Sequence, residues 1–247
     1  MRLPHLAFRQ GKSRFYIFLY DFIQYPGRSC RISSYTMRKT HPNHLLLLLF
    51  VIPFLSFQRS PAVSPLAAYS AEWNKPMYNA CNTAAKSAFL TPAEKDVIYV
   101  LNLARMYPSL FLETVIKQYP EKSDSRELIN SSYYKSLVDT FKTLKAGNLL
   151  IPDLACFTSA KCHAVQAGKD GYVGHSRSEA CERVSNYGGE CCDYGFSEAL
   201  DIVMHLLIDE DVPSLGHREI CLDSYKKLGI SIQPHKMYGY NAVLDFK

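Results

Sequence analysis

The chain has 247 residues, 47% of them hydrophobic and 21% charged, an ordinary globular balance with room for one or two domains. Its formal charge of +5 is concentrated at one end. Residues 1–60 hold nine Lys/Arg and a single acid, so residues 61–247 sum to −3, which argues against a basic nucleic-acid surface on the body of the protein.

The first element is an export signal. Arg38-Lys39 precedes an apolar run from Leu45 to Phe57. Thirteen residues broken by Pro53 fall short of the roughly 20 that a spanning helix needs, whereas a secretory signal tolerates that length. Ala62-Val63-Ser64 and the stretch Ala68 to Ser70 offer small-residue cleavage sites. A signal starts near its charges, so Met37 is the expected start. On that reading 1–36 is an upstream over-read or an N-terminal extension and 37–64 is the signal peptide. The product is expected to be secreted, periplasmic or held at the cell surface, with no transmembrane segment left after cleavage. Cysteines stand at 30, 81, 156, 162, 181, 191, 192 and 221. In an exported chain they are expected to be disulfide partners. The seven after the leader leave at least one over.

Residues 65–90, rich in Ala, Ser, Asn and Pro, are read as a linker or loosely packed arm, and 91–247 as the ordered domain. Thr91-Pro92-Ala93-Glu94 is a capping box with proline at the first helical position. Val97, Val100, Leu101 and Ala104 follow at helical spacing. Pro108 stops or kinks this helix, and a short one follows over Leu110 to Tyr119. Tyr134, Leu137, Val138, Phe141 and Leu144 predict another, stopped at Gly147. Pro152 and Asp153 open the next, with Leu154, Phe157, Ala160, Ala164 and Ala167 as its stripe. Residues 172–195 read as loop. Ser197 to Ile208 is a further helix. Leu228 to Ile232 and Tyr240 to Phe246 read as strands of a hairpin turning near Gly239. Helices followed by strands, without βαβ repeats, predict an α+β fold.

The polar motifs cluster in the second half. Gly174-His175-Ser176-Arg177 and Gly216-His217-Arg218 each place an imidazole directly after a glycine, and Gly188-Gly189-Glu190 lies between them. Two imidazoles and a carboxylate on such turns can share a cleft that holds a metal ion or moves a proton. The same groups can also simply hydrogen-bond one another and order their loops. Arg177 and Arg218 are expected to form ion pairs or cap loop carbonyls. His163, inside a helix, is expected to be packed, and His205 and His235 to lie on the surface.

These motifs, taken in order, resemble the CAP superfamily of cysteine-rich secretory, antigen-5 and pathogenesis-related proteins over about residues 91–247. Asn102-x-x-Arg105 is similar to the opening-helix pattern, and Ala160-Lys161-Cys162-His163-Ala164 to the helix signature. Gly174-His175-Ser176 and Gly216-His217-Arg218 are similar to the two pocket-histidine motifs, Gly189-Glu190 to the Gly-Glu-Asn motif, and the last two strands to the closing hairpin. The resemblance implies a three-layer α-β-α sandwich. It also implies a pocket of two histidines and two acids that in some members binds zinc or another divalent ion: His175, His217, Glu190 and a second acid from Asp209-Glu210-Asp211, with Asp209 the first choice and Glu210 next.

Two departures stand out. Cys191 replaces the usual Asn after Glu190, with Cys192 next, and the tryptophan expected before the second histidine is absent. A bridge from Cys181 to Cys191 or Cys192 is one way to tie the intervening loop. The leading function is an exported module, more a binder than an enzyme, whose cleft takes a divalent ion, a lipid-like molecule or a cell-surface ligand. A hydrolase is the alternative, with zinc-activated water and Glu190 as base, or with Cys191 or Cys192 as nucleophile. A structural envelope protein with a vestigial pocket is the third reading.

Overall fold

The computed structural model describes residues 63–247. The expected extension at 1–36 and nearly all of the signal at 37–64 lie outside that range. Among the described residues no helix is long and apolar enough to cross a membrane.

The segment 65–90 is not the loose arm that its composition suggested. Short 3-10 turns at Ala71–Asn74 and Pro76–Cys81 carry Trp73 and Tyr78 into the core, where Leu66, Ala84 and Leu90 join them. Trp73 donates its indole N–H to Thr114 and packs edge-on against Phe111. Segments of four and six residues are too short to show an amphipathic period, so the burial was invisible to pattern.

Helix α1 (Pro92–Met106) begins as expected. Thr91 accepts from the Glu94 amide and Glu94 accepts from the Thr91 amide. The other oxygen of Glu94 accepts from Ile232 N at 3.0 Å, so the cap also ties the helix to the sheet. The buried Asn102 and Arg105 stitch α1 to distant backbone. Asn102 bridges both polar groups of Leu150, and Arg105 donates to the carbonyls of Asn148, Cys221 and Tyr225. Three helices follow: α2 (Pro108–Thr114), the single turn α3 (Tyr119–Lys122), and α4 (Ser132–Thr143), which ends at Leu144, before the expected Gly147.

Strand β1 (Ile151–Pro152) leads into α5 (Leu154–Asp170), capped by Asp153 and closed by left-handed Gly171. The stretch 172–195, expected to be loop, contains the turn α6 (Glu179–Glu182) and strand β2 (Gly189–Tyr194). Helices α7 (Ala199–Ile208) and α8 (Gly216–Leu222) precede the hairpin β3 (Lys227–His235) and β4 (Gly239–Phe246). The sheet order is β1-β3-β4-β2, parallel only between β1 and β3.

The fold is mixed α and β, consistent with the α+β expectation. Strand residues divide by alternation between two clusters. Leu228, Ile230, Leu244, Phe246 and Cys191 join the large core with α1 and α7, while Val243 and Cys192 join Ala160 and Ala164 of α5. Helix α5 sits directly on the hairpin. A Cβ at Gly229 would fall 1.9 Å from Phe157 N, and one at Gly168 would fall 2.1 Å from Pro234 O.

Candidate functional site

Strand β2 is an edge strand, bonded only to β4. Successive side chains of a strand face opposite ways. Glu190 and Cys192 therefore face the side that carries α5, and Cys191 and Asp193 face the side that carries α7 and α8. The loop 171–178 runs along the first side and the turn 209–216 along the second. Each brings one histidine to the strand.

His175 hydrogen-bonds through Nδ1 to Glu190 Oε1 at 2.8 Å. Its loop is held by Tyr194, whose hydroxyl accepts from Gly174 N, and by Tyr172, whose hydroxyl accepts from Ser176 N. Gly174 has φ +127°, and a Cβ there would meet the Tyr172 hydroxyl at 2.8 Å, so glycine is required. Arg177 stands behind the pair, fully buried. It contacts Glu190 Oε2, reaches Asp245 at 2.9 Å, donates to Ser159 O and lies 4.5 Å from the Tyr187 ring centroid. Burial pushes Glu190 up, but the His175 hydrogen bond and Arg177 outweigh it and hold the carboxyl below its ordinary value. The Glu190 hydrogen bond raises His175, against a smaller opposing effect of burial. Asp245 is pushed up to about 7 by burial, which Ser159 and Arg177 only partly offset.

His217 hydrogen-bonds through Nδ1 to Asp209 Oδ1 at 2.7 Å. The other oxygen of Asp209 accepts from His217 N and Arg218 N, which caps the start of α8. Asp209 sits at the end of α7 in left-handed conformation, and Asp211 and Leu215 share that conformation in the same turn. Arg218 closes the end of α7 by donating to the carbonyls of Leu207 and Ile208. Glu210, the second choice for the pocket acid, turns away and accepts from Ser131.

The two imidazoles meet across the edge of β2 with ring centroids 5.9 Å apart and planes 37° from parallel. His175, Glu190, His217 and Asp209 are thus brought together from three separate stretches. In both pairs the carboxylate takes Nδ1, which leaves Nε2 of each ring for a ligand. This is the arrangement in which a carboxylate fixes the tautomer and aim of a metal-binding imidazole.

A third pair was missed. His205 is exposed, as expected, but it has a partner that was not expected: it bonds through Nδ1 to the buried Asp193. Burial raises Asp193, with His205 partly offsetting it; the same pairing raises His205 against its own burial. His235, also expected on the surface, is buried and bonded to Tyr172 O and to the amides of Met237 and Tyr238. The signal for the first was Asp193 itself, hidden because residues 189–194 did not read as a strand.

The cysteines overturn the expected bridging. Cys181 pairs with Cys162 of α5, not with Cys191 or Cys192, and fixes the segment after His175. Among the described residues Cys81, Cys156, Cys191, Cys192 and Cys221 are free and buried. Cys191 faces α8, 3.7 Å from the His217 carbonyl oxygen. Cys192 faces α5, 3.7 Å from His175 Nδ1. One ligand atom each from His163, Glu190 and Cys192 lie within 4.8 Å of one another, a buried group that can hold a metal ion. Compared with known proteins, the chain matches no family model, no curated protein and no solved structure.

Proposed function

We propose that the chain is an exported CAP-like module, a three-layer α-β-α sandwich whose paired imidazoles bind a divalent cation, zinc first. The observation that carries this reading is the matched construction of the two pairs. Each histidine is anchored through Nδ1 to a buried carboxylate, and their rings meet at 5.9 Å. His175 and His217 hold the ion through Nε2, and Glu190 and Asp209 aim them. Bound zinc would act as a Lewis acid toward water or a ligand carbonyl. Helices joined to both faces of the sheet support the sandwich. The Cys162–Cys181 bridge supports an oxidising compartment. The partner of the cleft is a lipid-like or cell-surface ligand that completes the ion's coordination.

Binding is favoured over hydrolysis by the state of the residues a hydrolase would need. His175 and Arg177 hold the Glu190 carboxyl below its ordinary value, against the effect of burial, so it is a weak base toward water. Burial first, with nearby acidic groups and thiols, raises both the Cys191 and Cys192 thiols well above their ordinary value, the reverse of an activated nucleophile.

The test is zinc titration of the full chain by calorimetry, with elemental analysis of natively purified protein. One equivalent of zinc that depends on His217 is expected, with its affinity falling roughly 10–100-fold in Asp209→Ala, as for loss of a partner behind a ligand. His217→Ala should lose more. Wild-type protein that binds no divalent ion, or binding indifferent to His217→Ala, overturns the cleft reading and leaves the envelope-protein reading.

A further inference from the structure

Behind the cleft lies a group of side chains that the paired imidazoles do not explain. Glu190 and Cys192 stand two residues apart on β2 and therefore on one face, and α5 lays His163 over that face. The three are 7%, 7% and 2% exposed. Their ligand atoms fall within a sphere that one ion can span.

The thiol is the anomaly among them. Cys192 lies near Ala160, Ala164 and Val243, yet its sulfur points at polar atoms: His175 Nδ1 at 3.7 Å and Gly174 O at 3.9 Å. A cysteine serving only as a small apolar filler gains nothing from such neighbours. The His163 ring packs edge-on to Tyr172 and makes one hydrogen bond, from Nε2 to Gly174 O at 2.9 Å. Glu190 keeps unused acceptor capacity, because a carboxylate has about four lone-pair sites.

We propose that His163, Glu190 and Cys192 form a second cation site, beside the cleft and sharing Glu190 with it, that takes a borderline ion such as Zn2+ through one nitrogen, one oxygen and one sulfur. The donor set selects against calcium and magnesium, which prefer all-oxygen shells, and favours zinc or its spectroscopic substitute cobalt. Binding replaces the Cys192 S–H bond with a metal–sulfur bond and releases that proton to solvent, with no change of oxidation state. Arg177 stays paired with Asp245 when the ion draws on Glu190.

The site shares Glu190 with the cleft but uses Cys192 and His163 rather than His217, and its test separates the two. X-ray absorption on the zinc-loaded full chain is expected to show a sulfur neighbour at about 2.3 Å, half an atom per zinc when both sites are filled. Titration with Co(II) under reducing, anaerobic conditions is expected to give a near-ultraviolet sulfur-to-cobalt band. That band should vanish in Cys192→Ser, fall at least 10-fold in apparent affinity in His163→Ala, and persist in Cys191→Ser and His217→Ala. A shell of nitrogen and oxygen alone in wild-type protein overturns the proposal and needs no variant. A band that survives Cys192→Ser also overturns it. Nitrogen-and-oxygen binding abolished by His217→Ala would uphold the cleft while removing this site; a sulfur-containing shell indifferent to His217→Ala would do the opposite.

Discussion

The two histidine–acid pairs have the same chemistry but are built in different ways. His217–Asp209 is a local construction. Its partners are eight residues apart, and the acid is fixed by backbone amides at the junction of two helices. His175–Glu190 is a long-range construction, in which a loop is held to a strand by Arg177, which in turn needs Asp245 and Ser159 from elsewhere in the chain. A pair anchored by its own turn can survive damage elsewhere. A pair anchored by a buried guanidinium stands or falls with that one side chain.

The sharpest way to break the comparison is Arg177→Met. It strands Glu190 and Asp245 without their counter-charge, and breaking a buried pair in this way costs about 3–5 kcal/mol. Urea unfolding should show that loss. The imidazole NMR signals of His175 should move while those of His217 stay. Next comes removal of the disulfide in the double variant Cys162→Ser, Cys181→Ser. A bridge closing a loop of this size contributes about 3 kcal/mol, and the His175 loop, not the His217 turn, should gain hydrogen-exchange rate. Asp209→Ala reverses the pattern. Loss of a helix cap and of a buried acceptor costs about 1–2 kcal/mol, and the His217 signals should move alone.

The smallest effect is in pH dependence. His175 is raised in the folded protein, so its contribution is full below its ordinary value of about 6.5 and fades as pH climbs through the raised one. Glu190 is depressed, so its contribution fades only as pH falls through its lowered value. Asp245 adds to the decline on the alkaline side. Between about pH 4 and 7 folding takes up its proton, and stability falls as pH rises across that window. Stability should therefore peak in mild acid. Glu190→Gln should flatten the slope near neutrality, measured by urea midpoints from pH 4 to 9; an unchanged slope would mean that the His175 pair is not coupled to folding.

What the sequence made legible follows the same division between local and long-range. The α1 cap, the Asp153 start of α5, and the closing hairpin are all encoded within a few residues, and all were read. Strand β2 was not, because Gly-Glu-Cys-Cys-Asp-Tyr is polar on both faces and has no alternation to count. Helix α8 was missed because its cap is Asp209, seven residues before its first residue. The choice between Asp209 and Glu210 rested on resemblance alone; the geometry turns the first toward His217 and the second toward Ser131. The cysteines misled because compartment chemistry argues for bridges, while burial on opposite faces of one strand keeps Cys191 and Cys192 from sharing a partner.

The bare seating of α5 at Gly168 and Gly229 has a mechanical consequence. With no side chain as a spacer at either end, helix and hairpin behave as one slab that has no room to slide. A visiting molecule cannot enlarge the hollow from beneath. Accommodation has to come from the rim, where the stretch between Gly171 and the bridge at position 181 carries His175.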